Sequence, residues 1–139
     1  MKNILVLCTG NSCRSQMAHG YLKDFLNGNA NVYSAGIETH GLNPGAVAIM
    51  KEDDIDISGH TSNNVDEYEG IEWDYIITVC DHAKENCPFI PAKNAVRIHH
   101  NFSDPSKAEG TAEQIHQAYQ ETRDQIKDFV YELIKEEFV

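Results

Sequence analysis

The sequence predicts an α/β protein, a parallel sheet with helices on both faces, and three observations predict it. Short apolar runs suited to buried strands alternate with stretches of helical period, the pattern left by right-handed strand-helix-strand crossovers. The run Asp74-Tyr75-Ile76-Ile77-Thr78-Val79 sets hydrophobic and β-branched residues in succession, as a strand covered on both faces requires. The first apolar run, Ile4-Leu5-Val6-Leu7, leads through Cys8–Ser15 into a helical stripe, and ligands in such folds sit beyond the carboxyl ends of strands. At 139 residues the chain can bury one core, so 1–139 is expected to form a single domain.

Each element has its own signal. The first helix should run from about Ser15 to Asn27, with Met17, Ala18, Tyr21, Leu22, Phe25 and Leu26 on its inner stripe and Gly28 as its stop. Val32-Tyr33-Ser34-Ala35 reads as a weak strand. Asn43-Pro44 opens a second helix in a cap-then-proline arrangement, with Ala46, Val47, Ile49 and Met50 facing inward. Ile55 and Ile57 anchor the return, the 74–79 strand follows, and Ala95 to Ile98 is a shorter strand. Thr111 and Gln114 make a capping box for a last helix whose period persists from Ile115 through Ile134.

The turn Cys8-Thr9-Gly10-Asn11-Ser12-Cys13-Arg14-Ser15 is an anion site by construction. Amides at a helix start lack intrahelical partners and sit at the positive end of the macrodipole, so a loop curled over them can wrap a tetrahedral oxyanion. Gly10 and Asn11 tolerate the positive φ that such a curl needs. Cys8 stands at the floor and Arg14 at the rim, with five residues between them. The dipole, the converging amides, Arg14 and a hydrogen bond from Ser15 all favour a nucleophilic thiolate, and the guanidinium fork can hold two oxyanion oxygens.

Composition narrows the partners. With 22 acidic against 11 basic residues the net charge is -11, which argues against nucleic acid and anionic membrane and is equally explained by solubility. The N-terminus is too short for a signal segment and no transmembrane run occurs, so a cytoplasmic protein is expected. There, four cysteines point to redox catalysis, burial or metal, and the spacings Cys8/Cys13 and Cys80/Cys87 suit no zinc knuckle; no metal is expected. The seven histidines form no compact ligand pattern and read as scattered surface or capping groups. Trp73 reads as packing.

The Cys-x5-Arg-Ser loop resembles the low-molecular-weight protein tyrosine phosphatase superfamily. Within it, Cys8 through Ala18 is similar to the thioredoxin-coupled arsenate reductases, since phosphatases usually carry Pro where Gln16 stands. Cys80-x6-Cys87-Pro88 with Thr78-Val79 before it, Val32 to Glu38, Gly41 to Pro44, Ile55 to Ser58, His60-Thr61-Ser62 and Asp104-Pro105 extend the resemblance over nearly the whole chain.

The resemblance implies a four-stranded sheet in order 2-1-3-4, a monomer, and arsenate or another tetrahedral oxyanion held by Thr9, Gly10, Asn11, Ser12, Cys13 and Arg14. It further implies catalysis by Cys8, Arg14, Ser15, Asp104, Cys80 and Cys87. Cys8 attacks arsenate while Asp104 protonates the departing oxygen; Cys80 and then Cys87 take over the oxidised state, and thioredoxin reduces the final disulfide. Residues 80–88 would have to rearrange for this. No cofactor is implied, and Cys13 is left a packing role. Some members bind potassium beside the loop through acids at the positions of His19 and Asn63; both are lost here, though Asn11 and Ser34 match the rest, so little potassium stimulation is expected. The rival readings are a low-molecular-weight phosphatase, sharing Cys8, Arg14 and Asp104, and a noncatalytic oxyanion-binding or redox-sensing module.

Overall fold

Alternation along the first strand decides where the two faces of the molecule lie. The computed structural model describes residues 1–81 and 89–138. In β1 (Lys2–Leu7), successive side chains project to opposite sides, so Ile4 and Val6 enter one cluster and Leu5 and Leu7 the other. All four are fully buried, which makes β1 a central strand. It pairs in parallel with β2 (Ala30–Ala35) on one side and β3 (Tyr75–Thr78) on the other, and β4 (Val96–His99) lies beyond β3. The order is β2-β1-β3-β4, as expected. β1 starts earlier than its apolar run because Lys2 and Asn3 pair with Ala30 and Asn31, where only main-chain partners are needed.

Three helices cover the Ile4/Val6 face. α1 (Arg14–Leu26), α2 (Pro44–Lys51) and α3 (Ala112–Glu137) contribute Met17, Tyr21 and Leu22, Ile49 and Met50, and Ile126, Val130 and Leu133 to a single cluster. Their ends follow from the sequence. Asn43 accepts a hydrogen bond from the Ala46 amide with Pro44 in the first turn, and Thr111 and Gln114 cap α3 reciprocally. α1 ends at Asn27, which takes the left-handed conformation one residue before the expected Gly28. On the opposite face Leu5, Leu7 and Ile76 pack against Trp73, and the rings of Tyr33, Tyr68 and Trp73 meet edge-on at 5.1 to 6.3 Å. Among the described residues the helical cover there is one 3-10 turn, Val65–Tyr68.

The pairing of β1 with β3 positions the site. Leu7 stands opposite Thr78, and the Val79 amide donates to the Leu7 carbonyl at 3.0 Å. Cys8 and Cys80 therefore leave the sheet at the same edge from neighbouring strands, and both lie buried in the cluster under the three helices.

Candidate active site

Main-chain geometry makes the loop after β1 into a receptor for anions. The Thr9 carbonyl accepts from the Glu38 amide at 3.1 Å, Gly10 from the His40 amide at 3.1 Å, and Ser12 from the Asn43 amide at 2.9 Å. The Asn11 carbonyl accepts from Gln16 Nε2 at 3.0 Å. In a trans peptide C=O and N–H point opposite ways, so four carbonyls tied outward turn the next four amides toward the hollow above Cys8. Asn11 has φ 46°, the left-handed turn that bends the run into a concave nest. Two glycines leave room: a Cβ on Gly10 would run into the His40 ring, and one on Gly36 would meet the carbonyls of Thr9 and Cys8 and the Asn11 amide.

The reactive groups converge on that hollow. Cys8 Sγ lies 3.0 Å from Ser15 Oγ, which already accepts from Asn11 Nδ2 at 2.8 Å. As a thiol Cys8 donates to the second lone pair of the Ser15 hydroxyl, the first being taken by Asn11; as a thiolate it accepts a hydrogen bond from that hydroxyl. Arg14 is buried and directed by its Nη1, which donates to the Phe102 carbonyl at 3.0 Å, while Nη2 lies 3.6 Å from Asp104 Oδ2. Asp104 is itself aimed. Its Oδ1 accepts from the amide and hydroxyl of Ser106 as the cap of a 3-10 turn, Pro105–Lys107, which leaves Oδ2 facing the guanidinium. Cys8, Arg14, Asp104 and Ser106 border a cleft of about 720 Å³ that also takes in Thr9, Gly10, Ser12, Cys13, Glu38 and His40.

The four cysteines separate chemically. Cys8 and Cys13 are free thiols, whereas Cys80 is disulfide-bonded. Burial, with Asp104 and Cys8 adding and Arg14 opposing, pushes the Cys13 thiol far up, so it stays protonated and behaves as a packing group. Cys87 falls in 82–88, outside the described residues, as does most of the segment expected to rearrange.

Behind the loop the histidines depart from expectation. His19 is half-buried and tied down: its Nδ1 lies 2.8 Å from Ser34 Oγ, and its ring stacks on His60 with centroids 4.4 Å apart. Burial first, then the His60 and Lys23 charges, bring its pKa down to about 3, so the ring is neutral near pH 7. Burial lowers His60 as well. His60 Nδ1 meets Gln16 Oε1 at 3.0 Å, and Asn11 Oδ1 accepts from the Asn63 amide at 2.7 Å. Sequence reasoning noted Gln16 only as a difference from phosphatases. Its partners lie 5 and 45 residues away, so no local pattern could mark them.

Comparison with known proteins bears on this geometry. A family model described as low molecular weight phosphotyrosine protein phosphatase matches residues 3–138. An arsenate reductase of Oceanobacillus iheyensis is 49% identical over 127 residues, covering 91% of both chains. One of Bacillus licheniformis is 51% identical over 125 residues, covering 90% of this chain and 89% of its own. Among solved structures, an arsenate reductase in the phosphate binding state superposes with a TM-score of 0.79 at 31% identity, over 98% of both chains. Another, in the oxidized state, reaches 0.81 at 30% identity and the same coverage. A loop that turns its amides on one thiol, an arginine in its helical rim, and a match spanning 3–138 agree: the chain belongs to the low-molecular-weight phosphotyrosine protein phosphatase family.

Proposed function

We propose that this protein reduces arsenate to arsenite through a three-cysteine relay recharged by thioredoxin. Arsenate enters the nest, where amides and Arg14 take up its charge. Cys8 thiolate attacks arsenic, and one oxygen departs as water with a proton from Asp104. Cys80 thiolate then attacks the Cys8 sulfur; the sulfur–arsenic bond breaks, its electron pair leaves on arsenic as arsenite, and a Cys8–Cys80 disulfide forms. Cys87 attacks Cys80, Cys8 is released as a thiolate, and thioredoxin reduces the remaining disulfide by the same exchange.

The observation that carries this reading is the placement of Cys8 and Cys80 at the carboxyl ends of adjacent parallel strands, within one buried cluster. Relatives near half identity bear the name arsenate reductase, and one structural neighbour is in a phosphate binding state. The test is arsenite release with thioredoxin and its reductase. Wild type turns over repeatedly, Cys8→Ser gives nothing, and Cys80→Ser and Cys87→Ser lose at least 10³-fold of steady-state turnover, the scale of removing an essential nucleophile. Full multiple turnover by Cys87→Ser would refute the relay.

The reading needs no alkali cation. The fit fails at the position in question, where His19 is a neutral ring bound to Ser34 and residue 63 is an amide whose backbone N–H occupies Asn11 Oδ1. Neither position carries a carboxylate, and the oxygens of Glu67, which does reach residue 63, are engaged by the Asn63 side-chain amide at 3.0 Å and the Asn64 N–H at 2.8 Å. Turnover in potassium chloride and in sodium chloride at equal ionic strength is expected to agree within about 1.5-fold, against the factors of five or more that real linkage between sites gives.

A further inference from the structure

Of the four loop carbonyls that must point outward, three are tied to main-chain amides of the 38–43 segment, which any sequence would supply. The fourth is different. The Asn11 carbonyl belongs to the residue with positive φ, and among its described bonds it is held by a side chain, Gln16 Nε2. Gln16 is fully buried at the start of α1. Its amide nitrogen gives a second hydrogen bond to the Thr61 carbonyl at 2.9 Å, and its oxygen meets His60 Nδ1 at 3.0 Å. Two carbonyls on the nitrogen fix which end of the amide is which, and so fix His60 as the Nδ1–H tautomer. That ring is in turn held by its stack on His19.

From this geometry we infer that Gln16 is a positioning residue of the anion site: by clamping the Asn11 carbonyl against the 60–61 loop it holds the neighbouring Ser12 amide toward the anion. It also steadies the Asn11 side chain, which donates to the Ser15 hydroxyl beside Cys8. Gln16 touches neither sulfur nor substrate. A proline or an apolar residue at this position fills the space and cannot make the clamp. The inference rests on Cys8 as the nucleophile of the proposed reaction, but its test does not need arsenate turnover.

The experiment measures how much inorganic phosphate half-protects Cys8 from iodoacetamide, followed by peptide mass in the fully reduced protein. Gln16→Met keeps the volume and deletes every polar contact. The half-protecting concentration is expected to rise about tenfold, and the KM for arsenate with it, while kcat changes less than threefold. His60→Phe retains a ring against His19 but leaves Gln16 Oε1 without its donor, and is expected to give about a threefold rise. A lower melting temperature with unchanged phosphate protection and unchanged KM would make Gln16 mere packing and overturn the inference. Should Gln16→Met not fold, His60→Phe decides alone, and unchanged protection there overturns it. Failure of the wild type to release arsenite removes the proposed function and leaves the phosphate result readable.

Discussion

His19 shows how one side chain sets a solution property of the whole protein. In the unfolded chain it takes up a proton near the ordinary histidine value of 6.5, whereas in the folded chain burial brings this down to about 3. Between those values the unfolded state binds more protons, so stability is full above pH 6.5 and is lost as pH falls toward 3. One proton gives a slope of about 1.4 kcal/mol per pH unit. His60, also lowered by burial, adds to the loss over an overlapping range, and Asp53, held down chiefly by Lys127, adds to it at lower pH. Urea unfolding at several pH values between 6.5 and 4 is expected to follow this slope, and His19→Gln, which cannot titrate, is expected to flatten it by His19's share. Equal slopes in the two proteins would mean that the ring is not neutral in the fold.

At the scale of elements, the end of β2 and the anion loop form one packed unit. Gly36, directly after β2, accepts from the Val65 amide and donates to the Asn63 carbonyl, which pins it under the loop. The atoms that an added Cβ would meet, at 2.5 to 2.9 Å, are all main chain and cannot swing aside. Gly36→Ala is therefore expected to destabilise the protein by about 1 to 3 kcal/mol, the usual range for overpacking, and to weaken phosphate protection of Cys8 at least tenfold. Chemical denaturation and the alkylation assay read the two effects separately. Those elements legible in the sequence were the ones with a local cause. The Asn43 cap, the Thr111/Gln114 box and the 75–78 strand each state themselves within a few residues. The 3-10 turns at 65–68 and 105–107 did not, since one polar cap and three or four residues make no period.

Across the whole molecule the same division holds. A cysteine and an arginine separated by five residues after an apolar run marked the candidate site, and the resemblance supplied the strand order, which the structure has, and the proposed chemistry. The supports behind the site span the fold, so no local pattern marks them: the resemblance alone grouped His19 and Ser34 with Asn11 and Asn63, and the bond of Gln16 to Thr61 went unseen. Partial burial turned a histidine read as a surface or capping group into a neutral ring, and no single-sequence pattern reports burial of that kind.

The aromatic trio on the far face has an optical consequence. Trp73 is the sole indole in the chain and is 8% exposed, so its emission should be shifted to the blue in the native protein and move red on denaturation. It packs with Leu5, Leu7 and Ile76 on the face of the sheet opposite the Ile4/Val6 cluster that holds Cys8, so phosphate bound in the Cys8 loop should leave the spectrum unchanged. Ile90 and Ala92 press on the same cluster and follow the cysteine-bearing stretch directly in the chain. Fluorescence change on adding dithiothreitol, set against silence on adding phosphate, would make this one chromophore a label-free gauge of thiol state.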